Sequence, residues 1–440
     1  MFRRLPHGLR AHQPLGPLKL SWQKRLHQAK PGLRLLGIDP EGRRDQILGS
    51  LTRSHKDGWL DLLTRENKKL KKSGTRGFLA WGLTLSPDLE SGIQTCPLST
   101  YCAKVCLTHT GRMQSNQAQH ARIRRTLYWW LFPEEFLNSL SAEMHFLRGE
   151  AQRAGLAPAL RLNITSDIAW EQAPSLQAET GITFYDYTKL PWAARNPRPP
   201  DWHLLFSLSE AQGSLKRAFE WLDRGGNVAV VIGQEIPESS RLKLAALEAQ
   251  ADRMAANSPA QDKLLDQRAK WAPPGRANDA AKAAVAALLA RGRLWGDYPV
   301  LNGESDDARF LDARGAWVLL HAKGPASYDV SGFVVRVRPD GTPVQDEKER
   351  RAAEIPWKEL ERAKTAFRAL LAPDVRMERA AEQDESVAPA GRAARLRTRT
   401  RPGLQPLPFR PSRVPPPPVA PQCVTLPAPW WCDPWGGRLA

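Results

Sequence analysis

Apolar positions along the chain follow two rhythms. Short runs rich in Val, Leu, Ile and Phe predict strands at 78–85, 159–165, 182–187, 203–209, 227–232, 316–322 and 332–337. Helical spacing fills several of the intervals. "EEFLNSLSAEMHFLRGEAQRAG" sets Phe136, Leu140, Met144 and Leu147 on one face, stops at Gly155 and has Pro158 beyond it. "EAQGSLKRAFEWLDRGG" repeats the pattern with Leu215, Phe219 and Leu222 before a Gly-Gly stop. Strand, helix and strand in succession imply parallel pairing through right-handed crossovers. The strands are apolar on both faces, as covered parallel strands are. The expected fold class is α/β, with a complete or partial (β/α) barrel-like core. An open doubly wound sheet is the alternative.

The flanks break this rhythm. Residues 1–76 form a basic extension in which helix is expected from "RRDQILGSL" onward, while the earliest part has no steady period. The core spans 77–339 and is interrupted at 236–295 by an Ala-rich helical insertion broken at Pro273 and Pro274. In 340–377, "EIPWKELERAKTAFRALLAP" predicts a terminal amphipathic helix through Leu360, Ala363, Phe367 and Leu370. Residues 378–440 are rich in Arg and Pro, cannot bury a core, and are expected to be a disordered tail.

Charge changes the picture. Of 440 residues, 64 are Lys or Arg and 46 Asp or Glu, a formal net charge of +18. Such an excess favours nucleic acid or an anionic surface. The basic tails are either an arm binding nucleic acid electrostatically or merely solvated. "HARIRRTLYWWLF" divides the same way. Arg122, Arg124 and Arg125 beside Tyr128, Trp129 and Trp130 suit nucleic acid by charge and stacking, but helical spacing favours aromatics in the core and arginines on a solvated face. No apolar stretch approaches a membrane span or a signal peptide, so no membrane contact is expected and a cytoplasmic location is. P-loop, G-x-G-x-x-G, H-E-x-x-H and G-x-S-x-G motifs are all missing.

Of five cysteines, three crowd into "TCPLSTYCAKVCLTHTGR". Cys96, Cys102 and Cys106 are spaced C-x5-C-x3-C, with His109 three residues on. An odd, bunched set in a reducing compartment points to a metal rather than to disulfides. With His109 as fourth ligand the site is a closed, structural zinc. With His109 elsewhere, three thiolates hold three irons of a four-iron cluster and leave one iron open. The plain alternative is three unligated thiols in a crowded loop.

The loop follows the first core strand, at the end where barrel ligands bind. Polar residues recur at that end of later strands: Asn163, Ser166, Asp167 and Glu171; Asp186, Tyr187 and Lys189; Ser207, Ser209 and Glu210; Asn302, Glu304, Asp306, Asp307 and Arg309; His321 and Lys323. Singly each is an ordinary cap or turn residue; together they outline a cavity. Asp167, Asp186, Lys189, Glu210 and Asp306 are the candidate acid, base or substrate-binding groups.

The "CP…C…C" loop, "RLNITSDIAWE", "FYDYTKLP", "HLLFSLSE", "NVAVVI", "VLNGESDDARFLD" and "AKGPASYDVSGFVV" carry a resemblance over residues 77–338. In these the chain resembles bacteriophage and prophage proteins related to the phage gene product 88 domain. The cysteine loop of that group is similar to that of radical S-adenosylmethionine enzymes, although the spacing here differs from their C-x3-C-x2-C. The resemblance implies Cys96, Cys102 and Cys106 as ligands of a 4Fe-4S cluster whose open iron binds S-adenosylmethionine. Asn163, Ser166 and Ser207 then stand on the cofactor side. Zinc, with a nucleic-acid-binding role, is the competing assignment.

Overall fold

A computed structural model of the chain describes residues 17–53, 60–65, 68–87, 90–99, 101–196, 198–251, 277–356 and 359. The Arg/Pro-rich tail with Cys423 and Cys432, most of the expected terminal helix and the centre of the insertion lie outside the described residues.

Among the described residues nine strands make one sheet: β1 (Leu63–Thr64), β2 (Phe78–Leu83), β3 (Ala157–Arg161), β4 (Thr183–Thr188), β5 (Trp202–Ser207), β6 (Asn227–Gln234), β7 (Val300–Asn302), β8 (Trp317–His321) and β9 (Val335–Val337). The spatial order is β1-β2-β3-β4-β5-β6-β8-β7, with β9 also on β6. Among the described strands only β1 runs antiparallel, on β2. All seven expected strands are present, shifted by a few residues at their ends. The very short edge strands β1 and β7 carry too few apolar residues to stand out in sequence.

From β2 to β6 spatial order equals chain order, with no reversal. Successive right-handed crossovers then bring every connecting helix to one face, the winding of a barrel rather than of a doubly wound sheet. The sheet stays open, so the core is the partial form of the expected barrel. The helices are α1 (Trp22–Leu35), α2 (Arg44–Thr52), α3 (Lys68–Lys71), α4 (Asn116–Leu131), α5 (Pro133–Arg153), α6 (Pro174–Gln177), α7 (Ser214–Asp223), α8 (Glu238–Ala251) and α9 (Ala277–Arg291). Among the described residues no helix is long and apolar enough to cross a membrane.

Alternation along the strands decides what each face meets. Trp81, Leu160, Phe184 and Trp202 stand in register across β2–β5 and pack with Ile123, Leu127, Phe136, Leu140 and Met144 of α4 and α5. Phe206, Val228, Val230 and Leu319 continue that face against Leu215, Trp221, Val285 and Leu288 of α7 and α9. Local signals set the helix ends. Ser115 caps α4 by accepting from the amide of Ala118, and Pro133 with Glu134 and Glu135 opens α5. Gly155, at φ +65°, lets the chain turn out of α5 into β3.

The opposite face departs from the expectation of apolar residues throughout. Ala80, Ala159 and Tyr185 pack with Leu70, Phe78 and Phe310, but Arg161 and Tyr187 share this side. Phe310, beyond β7, lies 4.7 Å from Phe78, 5.3 Å from Tyr185 and 5.8 Å from His203, ring to ring. A loop from one side of the sheet thus covers strands on the other.

The extension before the core is built onto α4. Residues 22–35, which have no steady apolar period, form α1, capped by Ser21 and buried through Ala29, Gly32 and Leu33. Gly32 approaches so closely that a Cβ there would lie 2.5 Å from the carbonyl oxygen of Ser91. The aromatics of "HARIRRTLYWWLF" are core, as their spacing suggests, while the arginines are tied to other segments, Arg122 buried and Arg124 and Arg125 half-buried. Arg122 is paired with Glu90 at 2.8 Å. Arg124 donates to the carbonyls of Ser50 and Arg53, and Arg125 to that of Asp61. A guanidinium reaching backbone carbonyls of a distant segment leaves no periodic trace in sequence.

Candidate functional site at the carboxyl ends of the strands

The chain after β2 crosses the top of the open sheet. The hydroxyl of Thr95 donates to the carbonyl of Ser86, and the Thr95 carbonyl accepts from the amide of Asp167 at 2.9 Å, joining the loop to the β3 end. The Cys96 thiol donates to the carbonyl of Thr165 at 3.3 Å. The amide of Tyr101 donates to Glu210 Oε1, beyond β5, at 2.8 Å. Further along, Val105 packs with Ala322, Ala326 and Val334, beyond β8 and beside β9. The cysteine loop is therefore a strap from the β2–β3 side to the β6–β8 side, at the end where parallel strands expose their ligand sites.

Lys189 extends from the end of β4 beneath this strap. Its amide donates to Asp167 Oδ2 at 2.8 Å, and its ammonium lies 5.8 Å from the ring centroid of Phe333. Burial pulls its proton affinity down, but Cys102, Cys96, Asp167 and Glu210 together outweigh burial and hold it above the ordinary lysine range. Burial also pushes the Cys96 thiol well up, against the pull of Lys189. With Cys96 protonated, Asp167 and Glu210 supply the counter-charge, and the thiols add to it only when ionised.

Below lies a buried network. Arg195 has no exposed surface. It donates from Nε and Nη2 to both oxygens of Glu171 at 2.5 and 2.9 Å, and from Nη1 to Asp167 Oδ1 at 2.9 Å and Thr188 Oγ1 at 3.0 Å. The fork of a guanidinium fits the paired carboxylate oxygens. Asn163 organises the turn after β3. Its Oδ1 accepts from Ser166 Oγ and the amide of Ile168, and its amide and Nδ2 donate to Asp186 at 2.7 and 3.2 Å. Burial raises the Asp186 carboxyl to about 7, against the pull of Arg161, the Asn163 amide and Arg195.

Three of the five expected acid–base residues, Asp167, Lys189 and Glu210, come together with Cys96 and Cys102. Asp186 is fully buried behind Asn163. Asp306 belongs to another group, held by Arg309 at 3.0 Å and Arg76 at 3.2 Å. Asn163 and Ser166 shape the turn, and Ser207 ends β5, half-buried. Cys106 is half-buried and His109 is exposed at the outer end of the strap. Cys96, Cys102 and Cys106 form no disulfide with one another. Among the described residues no group of three His, Cys, Asp or Glu side chains is arranged to hold a metal ion. Arg195, Arg161 and Lys69 escaped the sequence reading. Arg195 lies in the Pro-rich stretch "PWAARNPRPP", where an arginine reads as solvated.

Fold and site together define an α/β protein with an open, sequentially wound parallel sheet and a cysteine-bearing strap over its carboxyl ends. The family model Gene product 88 matches residues 61–337, more than half of the chain, and the chain belongs to this family of phage gene products. No curated protein matches the chain, and no solved structure does.

Proposed function

We propose that the protein is an enzyme working through a thiol–lysine centre under the strap, with Cys96 and Cys102 as the reactive thiols and Lys189 as the cation that favours their ionised form. One observation carries this reading: Lys189 lies within electrostatic reach of Cys96, Cys102, Asp167 and Glu210, which come from three separate segments. A buried ammonium beside a thiol favours the thiolate, the form that attacks electrophiles and binds metals. Asp167 and Glu210 fix the lysine and the strap. Asp186, Asn163 and Ser166 act on the floor as positioning residues.

A metal-loaded form is the second reading, favoured by the shared loop and the mutual influence of Cys96, Cys102 and Cys106. It requires Cys96 to release the Thr165 carbonyl and lose its proton. Lys189 would then offset the negative charge of three thiolates, in an iron–sulfur cluster or, with His109, a zinc site.

Two measurements test the proposal. Iodoacetamide labelling, located by mass spectrometry, should modify Cys96 and Cys102 more slowly in Lys189→Met, by about tenfold. Iron, sulfide and zinc analysis of protein prepared without oxygen separates the two forms. Metal-free protein whose cysteines react equally fast with and without Lys189 overturns both.

A further inference from the structure

The loop after β5 carries Glu210, which accepts the Tyr101 amide in the middle of the strap and lies within electrostatic reach of Lys189. That loop is held by a segment beyond the residues the family model matches. A short helix, α10 (Glu347–Ala352), opens where Asp346 accepts from the amide of Glu349. The chain then extends along the loop. Ile355 lies parallel to Ala211: its amide donates to the Glu210 carbonyl at 2.9 Å, and its carbonyl accepts from the Gln212 amide at 3.0 Å. The two oxygens of Glu354 accept the amides of Gly213 and Leu215, each at 2.6 Å, at the start of α7.

Arg350 joins this loop to a second arm of the site. It is 1% exposed, and its Nη2 donates to the carbonyl of Ser209 at 2.8 Å. It also meets the turn before β9, where a Cβ on Gly332 would lie 2.9 Å from Arg350 Nη1 and 3.9 Å from Glu210 Cβ. The next residue is Phe333, whose ring lies beside the Lys189 ammonium. Asp329 heads that turn, accepts from the amide of Val334 at 2.9 Å, and lies within electrostatic reach of Arg350. One buried guanidinium thus stands between the segment that carries Glu210 and the segment that carries Phe333. A reactive group is only as well placed as the side chains that hold its neighbours.

We propose that Arg350 and Glu354 are positioning residues of the thiol–lysine centre: by fixing residues 209–215 they hold Glu210 on the Tyr101 amide and keep Cys102, the next residue of the strap, beside Lys189. This role rests on the thiol–lysine reading above. Cys96 lies outside its reach, because that thiol donates to the Thr165 carbonyl and its end of the strap is tied to Asp167.

The test is a double-mutant cycle read on the two thiols separately. Iodoacetamide labelling, located by mass spectrometry, is measured in wild type, Lys189→Met, Arg350→Met and the double variant. Lys189→Met should slow Cys102 by about tenfold when Arg350 is present and by less than about twofold when it is replaced, while the effect on Cys96 is the same in both backgrounds. Hydrogen exchange gives a readout independent of the thiols. The Tyr101 amide should exchange about tenfold faster in Arg350→Met and in Glu354→Gln, with the Asp167 amide at the other end of the strap unchanged. Arg350→Lys keeps a cation and a donor for the Ser209 carbonyl, and should restore part of both effects. Glu347→Gln, whose carboxylate pairs with Arg351 at 2.7 Å on the surface of α10, should behave as wild type. Glu354 is half-buried, so Glu354→Gln decides the matter if Arg350→Met does not fold. An unchanged Tyr101 amide, or an equal effect of Lys189→Met on Cys102 in both backgrounds, overturns the proposal. If Lys189→Met slows neither thiol in the otherwise native chain, the thiol–lysine centre itself falls, and the clamp on the strap stands or falls with the Tyr101 amide.

Discussion

Asp186→Asn should gain stability relative to wild type as pH rises from mild acid to alkaline values. Asp186 has no exposed surface, and burial raises its carboxyl from the ordinary 3.8 to about 7. At ~1.4 kcal/mol for each tenfold change in proton affinity, that rise is worth about 4 kcal/mol. The sign follows from linkage. The folded state holds the proton more tightly than the unfolded chain, so the contribution to stability is fully present below pH 3.8. It is lost as pH rises through about 7. Asparagine is close in shape to the protonated acid and does not titrate. It keeps an oxygen for the Asn163 amide but sets an NH2 group where Oδ2 accepts from Asn163 Nδ2, a loss of about 1–3 kcal/mol that is the same at every pH. Every other titration is common to the two proteins and cancels in their difference. That difference should grow by about 3 kcal/mol between pH 4.5 and 8. Urea unfolding followed by tryptophan fluorescence, at four pH values across this range, measures it directly. A difference that stays flat, or moves toward wild type as pH rises, would show that Arg161 and Arg195 keep Asp186 ionised and that burial is not the governing cause.

Arg195→Met leaves the buried Glu171 carboxylate without its guanidinium partner, which costs about 3–5 kcal/mol, and thermal melts that coincide with wild type would refute this. In Gly32→Ala the helix gains up to ~1 kcal/mol of intrinsic preference, but the methyl meets a backbone oxygen at 2.5 Å, so net destabilisation of about 1–2 kcal/mol is expected, with faster amide exchange confined to α1 and the segment around Ser91. Glu143 accepts the amides of Leu62 at 2.6 Å and Leu63 at 2.9 Å. Glu143→Gln turns one acceptor into a donor, so those two amides should lose protection worth about 1–3 kcal/mol while the exchange of β3 amides stays the same.

The sheet was legible wherever apolar runs were long. β2, β4, β5, β6 and β8 each bury residues such as Trp81, Phe184, Phe206 and Val230 against helices, and this writes a dense apolar signature. β1 and β7 sit at edges and leave almost none. The polar clusters at strand ends were also legible as a group, because turns after parallel strands gather at one end. Their partition was not. Nothing in the spacing of Asp186 or Asp306 says that one is sealed behind Asn163 and the other paired with Arg309. That depends on which guanidinium arrives from elsewhere, and Arg195, Arg161 and Arg76 arrive through long-range packing. The cysteine trio shows the same limit: proximity in sequence brought the thiols into one strap, while the backbone turned Cys96 toward Thr165.

Strand β7 precedes β8 in the chain, yet β8 lies between it and β6. During synthesis residues 300–302 therefore emerge with nowhere to attach, and wait until 317–321 have docked on the finished half of the sheet. Assembly of the last third is contingent on a latecomer, and a nascent chain halted between the two strands exposes the bare edge of β6, a template for pairing with a second chain.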